Sequence, residues 1–123
     1  MKRLFPLVTV ALILFSSAQL ATSTRTTNED FIQGMWRLTG ENNGHSWFLE
    51  WTFNRGRFDL KGYPPLAQDG KYRIIKTDGD KLTLELYDQK GNFGTENSQI
   101  EVVIDKKKDT LTIKGQGPFK RAQ

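Results

Sequence analysis

From Gly34 onward apolar and polar residues alternate with a period of two, interrupted only by turn-forming residues, almost to the end of the chain. A helix would need apolar residues every three or four positions, so this alternation dictates strands with one face buried and the other in water. Trp36 and Leu38 are expected inward, with Met35, Arg37 and Thr39 outward. After the turn Asn42-Asn43-Gly44, whose Asn-Gly pair tolerates positive φ and signals a hairpin, the inward set is Trp47, Leu49, Trp51 and Phe53. Asn54-Arg55-Gly56 makes the next turn, and Phe58 and Leu60 continue the buried face against Arg57, Asp59 and Lys61.

The pattern breaks at Gly62 to Gly70, where Pro64 and Pro65 cannot donate to a strand ladder, and the sequence predicts an irregular rim segment there. Tyr72 and Ile74 open the next strand, Asp78-Gly79-Asp80 turns it, and Leu82, Leu84 and Leu86 face inward. Gln89 to Asn97 reads as a polar loop. Ile100, Val102 and Ile104 then alternate with Gln99, Glu101 and Val103, the stretch Asp105 to Asp109 reverses the chain into Leu111 and Ile113, and Phe119 begins a closing strand. About eight short strands without helical crossovers predict an all-β, up-and-down antiparallel barrel; a sandwich would need long cross-connections.

Ahead of the alternation lie three segments of different character. Residues 1–18 read as a secretory signal peptide: Lys2 and Arg3, an apolar run from Leu4 to Phe15 too short to span a bilayer, then Ser16-Ser17-Ala18. Residues 19–26 read as a flexible, threonine-rich arm, and residues 27–123 as the barrel domain. Thr27 or Asn28 is placed to cap a short helical turn, with Glu29 and Asp30 in its first turn and Phe31 and Ile32 as apolar anchors.

A chain of 123 residues accommodates one domain. Its 18 basic residues against 14 acidic ones give a net charge of +4, and loss of Lys2 and Arg3 leaves 16 against 14, or +2. That charge is scattered among acids and not gathered on one aromatic-lined face, which argues against nucleic-acid binding. There is no cysteine, so stability rests on packing without disulfides, and no Asn-x-Ser/Thr sequon occurs. Export without cysteines points to a secreted or periplasmic location in a bacterium, with no stable membrane span after signal cleavage.

Gly34-Met35-Trp36, following a helical turn that ends in Phe31 and followed by meandering strands and a terminal Arg121, resembles the calycin superfamily, specifically small bacterial lipocalin-like domains. The resemblance covers Asn28 to Arg121, and it implies that Gly34 and Trp36 lie on the first strand with Trp36 packed under Arg121 from the last, as a plug at one end of the barrel. The chain departs from the larger lipocalins in its length, in having no cysteines and in having no helix after the last strand. Avidin-like and protease-inhibitor-like small barrels are similar to it in equal measure.

Catalysis finds little to stand on. His45 is the single histidine, at a hairpin tip, and no Ser-His-Asp, Cys-His or zinc set can be assembled. Asp78-x-Asp80 fails as a calcium loop, because its sixth position is Thr83 and its twelfth Gln89. Glu50, Glu85 and Glu101 project outward with no fixed catalytic spacing, and Lys106-Lys107-Lys108 reads as a solvated tip. The chain is therefore read as a non-enzyme with no metal and no cofactor.

Binding of a small apolar or amphipathic ligand is the expected role. A dry cavity of about 300 Å³ would cost on the order of 7 kcal/mol at about 24 cal/mol per Å³, comparable to the roughly 5 to 15 kcal/mol that holds such a domain folded. Large inward residues are thus expected to fill the barrel and leave a shallow mouth, its lining drawn from Trp47, Trp51, Phe58, Tyr63 and Tyr72, with Lys61 or Arg73 meeting an acidic head group at the rim. The alternative is a protein partner, as for an envelope protease inhibitor, using the arm or an outer apolar patch of Phe48, Ile75 and Val103. The domain is expected to be a monomer.

Overall fold

A computed structural model of the protein describes residues 28–122. The expected signal peptide and arm, and Thr27, lie outside the described residues. Residues 28–32 form one helical turn. Eight antiparallel strands follow in order and close on themselves: β1 (Gly34–Asn42), β2 (His45–Asn54), β3 (Arg57–Tyr63), β4 (Leu66–Asp78), β5 (Lys81–Gly91), β6 (Ser98–Asp105), β7 (Thr110–Ile113) and β8 (Gln116–Arg121). Each strand pairs with the next, and β8 returns to β1 at Trp36↔Arg121 and Arg37↔Lys120.

The hairpin turns obey local backbone chemistry. Asn43 and Gly44 take φ of 54° and 81°, and Arg55 and Gly56 take 48° and 87°, the doubly positive pair whose twist matches that of the flanking strands. Arg55 is held in this conformation by a bond from its N–H to Gln33 Oε1, at 2.7 Å.

Inward positions of the strands build the core. Trp36, Leu82, Leu84, Val102, Leu111 and Phe119 are all 0% exposed, so no water-sized space touches them. On the β2–β4 side Trp51 stacks on Phe53 with ring centroids 5.7 Å apart and lies tilted against Phe58 at 5.8 Å, while Phe53 meets Tyr72 edge-on at 5.4 Å. The Tyr72 hydroxyl accepts a bond from Gln33 Nε2 at 2.9 Å, so its one polar atom is satisfied.

At the end of the barrel that holds the 55–56 and 79–80 turns, Trp36 forms a plug. Its indole N–H donates to the Ile32 carbonyl at 2.9 Å, and the Arg121 guanidinium carbon lies 4.1 Å from the ring centroid. Arg121 Nη1 also donates to Gln33 O at 3.0 Å, and the guanidinium pairs with Asp109 at 3.1 Å. Gly34, at φ 114°, occupies a backbone conformation that side chains rarely adopt, and a Cβ there would sit 3.4 Å from Arg121 Nη1.

Two stretches depart from the expectation. Gly62 to Gly70 is not an irregular segment: β3 runs through Tyr63, β4 starts at Leu66, and Pro64-Pro65 alone make the turn, where no ladder donor is required. Nor is Gln89 to Asn97 loop throughout, since β5 continues to Gly91. Both extensions carry inward glutamines. Gln68 Nε2 donates to Gln89 Oε1 at 3.2 Å and to Gly94 O at 2.9 Å; Gln68 Oε1 accepts from Phe93 N at 2.9 Å; Gln89 Nε2 donates to Glu96 O at 2.7 Å. Two buried amides thus hold the 92–97 loop from inside the barrel.

Candidate ligand-binding cleft

At the barrel end opposite the Trp36 plug lie the β1–β2 hairpin and the β3–β4 turn. Trp47 is inward but occupies the third position of β2, just after the hairpin turn, opposite Gly40. Its indole folds over Gly40, where any Cβ would run into the ring. The absence of a side chain at Gly40 is therefore what lets the indole lie down across β1.

Tyr63 and Phe48 face each other across β2 and β3 on the outer surface, next to Thr39 on β1. Tyr63 is 57% exposed. Between these groups lies an open depression of about 500 Å³, walled by Arg37, Thr39 and Glu41 from β1 and by Ser46, Trp47, Phe48 and Tyr63 from the neighbouring strands. A second depression of about 590 Å³ shares Ser46, Trp47 and Tyr63 with it and adds Asn42, Asn43, His45 and Pro64. The two form one cleft wrapping around the hairpin tip.

Its electrostatics are nearly self-contained. Arg37 donates to Glu50 Oε2 from Nε at 3.1 Å and from Nη2 at 2.8 Å, and its guanidinium carbon stands 4.5 Å from the Phe48 ring centroid. Glu50 is buried at its place on β2, so the pair fixes Arg37 against the aromatic wall. The remaining polar groups at the cleft are hydroxyls, side-chain amides, His45 and the Glu41 carboxylate.

The structure divides the residues expected at the mouth. Trp47 and Tyr63 line the cleft. Trp51, Phe58 and Tyr72 lie in the core at 4%, 3% and 3% exposure, Trp51 against Phe53 and Phe58 and Tyr72 against Phe53, because Trp51 and Tyr72 sit mid-strand and Phe58 lies at the start of β3, toward the plug end. Lys61 is exposed on β3 opposite Glu50 and outside the cleft lining. Arg73 is far from it in register, bonded through Nε to Glu85 Oε1 at 2.7 Å and stacked 4.2 Å from the Tyr87 centroid. The hydrogen bond to Glu85 raises the Arg73 pKa above its ordinary value.

Phe48, expected as part of an outer patch with Ile75 and Val103, is instead part of the cleft. Ile75 and Val103 lie toward the opposite ends of their strands, near the turns that follow Asp78 and Asp105. Sequence reasoning missed Arg37, Thr39, Glu41 and Ser46 as cleft residues. The available signal was Phe48, an apolar residue on an outward position.

A separate depression of about 550 Å³ runs beside the Lys106–Lys108 tip, but Asp80 and Asp105 line it too, and Asp105 Oδ1 accepts from the Lys108 N–H at 3.2 Å. Among the described residues no group of His, Cys, Asp and Glu is arranged to hold a metal ion, and no helix is long and apolar enough to cross a membrane. No protein family, no curated protein and no solved structure matches the chain.

Proposed function

We propose that this protein is an exported, lipocalin-like binding protein for a small amphipathic molecule, and that it acts by binding and not by catalysis. The observation that carries the reading is the gathering of Trp47, Phe48 and Tyr63 around one solvent-open cleft at the barrel end opposite the plug. An open lining of three aromatic side chains with a few polar groups is the usual make-up of a ligand site. The apolar part of the ligand lies against the three rings, each 100 Å² of covered apolar surface contributing about 2.5 kcal/mol. Its polar part bonds to Thr39, Ser46 and the asparagines of the hairpin.

Two measurements test this. Anilinonaphthalene sulfonate, an amphipathic fluorophore, should bind with a stoichiometry of one and lose most of its affinity in Tyr63→Ala, whose melting temperature should stay near the parent's because Tyr63 is exposed. Native mass spectrometry of protein purified gently from its host, with organic extraction, should show and classify a bound molecule. Equal fluorophore binding by the parent and Tyr63→Ala would remove the cleft from the reading.

A further inference from the structure

The two edges of β1 are treated differently. Toward β2 it is paired along its whole length, from Gly34↔Phe53 to Asn42↔His45. Toward β8 it is paired only at Trp36 and Arg37. The phase of the backbone follows from two independent facts. A two-residue turn makes Asn42 and His45 a hydrogen-bonded pair, so Leu38, Gly40 and Asn42 direct their N–H and C=O groups to β2, and the odd-numbered residues direct theirs to β8. The bond from Ala122 N to Met35 O, at 2.7 Å, gives the same phase from the other side.

Extending the Arg37↔Lys120 register by two residues brings Thr39 opposite Pro118. Proline has no N–H to give, and β8 also shifts its register against β7 between Leu111 and Ile113, so the ladder stops. Thr39 and Glu41 are left with their main-chain donors and acceptors facing no strand. Exposed strand edges are commonly blunted by proline, lysine or a bulge. Pro118 does this for β8, whereas the upper edge of β1 carries none of these.

The same residues form the near wall of the cleft, with Phe48 directly across from Thr39. Glu41 is exposed and pairs with no cation among the described residues. We propose that the Thr39–Glu41 edge of β1 takes an extended segment of a partner protein as an added strand. Main-chain bonds to Thr39 and Glu41 supply affinity, and side chains on alternate positions supply selectivity. The segment carries a basic residue beside Glu41 and, two positions away on the same face, an apolar one that reaches over Thr39 to Phe48. This inference does not depend on the small-molecule reading, although the two ligands share a wall.

The test is selection of a phage-displayed library of linear peptides on the immobilised protein, followed by anisotropy titration of a fluorescein-labelled peptide of the enriched sequence. A basic residue two positions from an apolar one should be enriched. Thr39→Pro removes only the edge-facing N–H and leaves the β1–β2 ladder intact, so the variant should fold and weaken the peptide by about tenfold or more. Glu41→Lys should weaken it as well with no effect on folding, which keeps the test decisive should Thr39→Pro be unstable. Amide exchange at Thr39 and Glu41 should be fast in the free protein and slow with peptide bound, with Leu38 and Gly40 protected in both. Failure to enrich any sequence, undiminished binding by both variants, or protection of Thr39 and Glu41 in the free protein overturns the proposal. A dimer by ultracentrifugation that Thr39→Pro converts to monomer assigns the edge to a second copy of the chain and overturns it too. Fluorophore binding without peptide binding leaves the small-molecule reading standing and removes this one.

Discussion

Arg121 holds its guanidinium carbon 4.1 Å from the centroid of the Trp36 ring while donating to Gln33 O at 3.0 Å and pairing with Asp109. One side chain at the end of the last strand thus covers the plug, ties down the residue before the first strand and reaches the β6–β7 turn. Trp36→Ala should destabilise the fold by about 3 to 5 kcal/mol, as deletion of a buried aromatic does. Arg121→Ala should cost about 0.5 to 2 kcal/mol, the range for a cation over an aromatic face. Urea unfolding of the three proteins checks both, and a Trp36→Ala midpoint equal to the parent's would refute the plug.

Gly40→Ala is a small change with a specific consequence. The new methyl occupies the position of the Trp47 indole, and the backbone has no strain to relieve. The ring should swing off β1, lowering anilinonaphthalene sulfonate affinity and shifting tryptophan emission, while Trp36 and Trp51 stay buried. Restoration of binding in Gly40→Ala/Trp47→Phe would show that the clash, and not the hairpin, is responsible.

Gln68→Leu should destabilise the protein although it places an apolar residue inside a barrel. It strips Gln89 Oε1, the Phe93 N–H and the Gly94 carbonyl of their partner, and leaving a buried group such as Gln89 Oε1 unsatisfied costs about 1 to 3 kcal/mol. Faster amide exchange at Phe93, together with a lower urea midpoint, is the expected outcome. Gln89→Leu should act in the same direction through Glu96 O.

The strand faces were legible in the sequence because alternation reports which side a residue occupies. Leu82, Leu84, Leu86, Ile100, Val102 and Ile104 all lie inward as read. Height along the barrel was not legible, since it depends on the stagger between strands. Trp47, Trp51, Phe58 and Tyr72 therefore read as equivalent, although Trp47 is at the cleft and the other three are packed in the core. The start of β4 was hidden for another reason. Its inward positions hold Gln68 and Gly70, which give no apolar signal, and the first finds its bonding partners far along the chain, at Gln89 on β5 and at Phe93 and Gly94 in the loop beyond it. The open edge of β1 needed the register of three strands, which no single stretch of sequence contains.

The way the ring closes also sets an order of events. Seven of its pairings join strands that are adjacent in sequence and can form as local hairpins, whereas the Arg121 to Gln33 bond spans 88 residues. Bringing such distant ends together carries the largest loss of chain entropy and follows the nearer contacts. A closure that comes after the transition state leaves its mark on unfolding alone. In stopped-flow urea jumps, Arg121→Ala should unfold faster than the parent and refold at nearly the same rate, whereas Leu84→Ala, in the middle of the meander, should slow refolding.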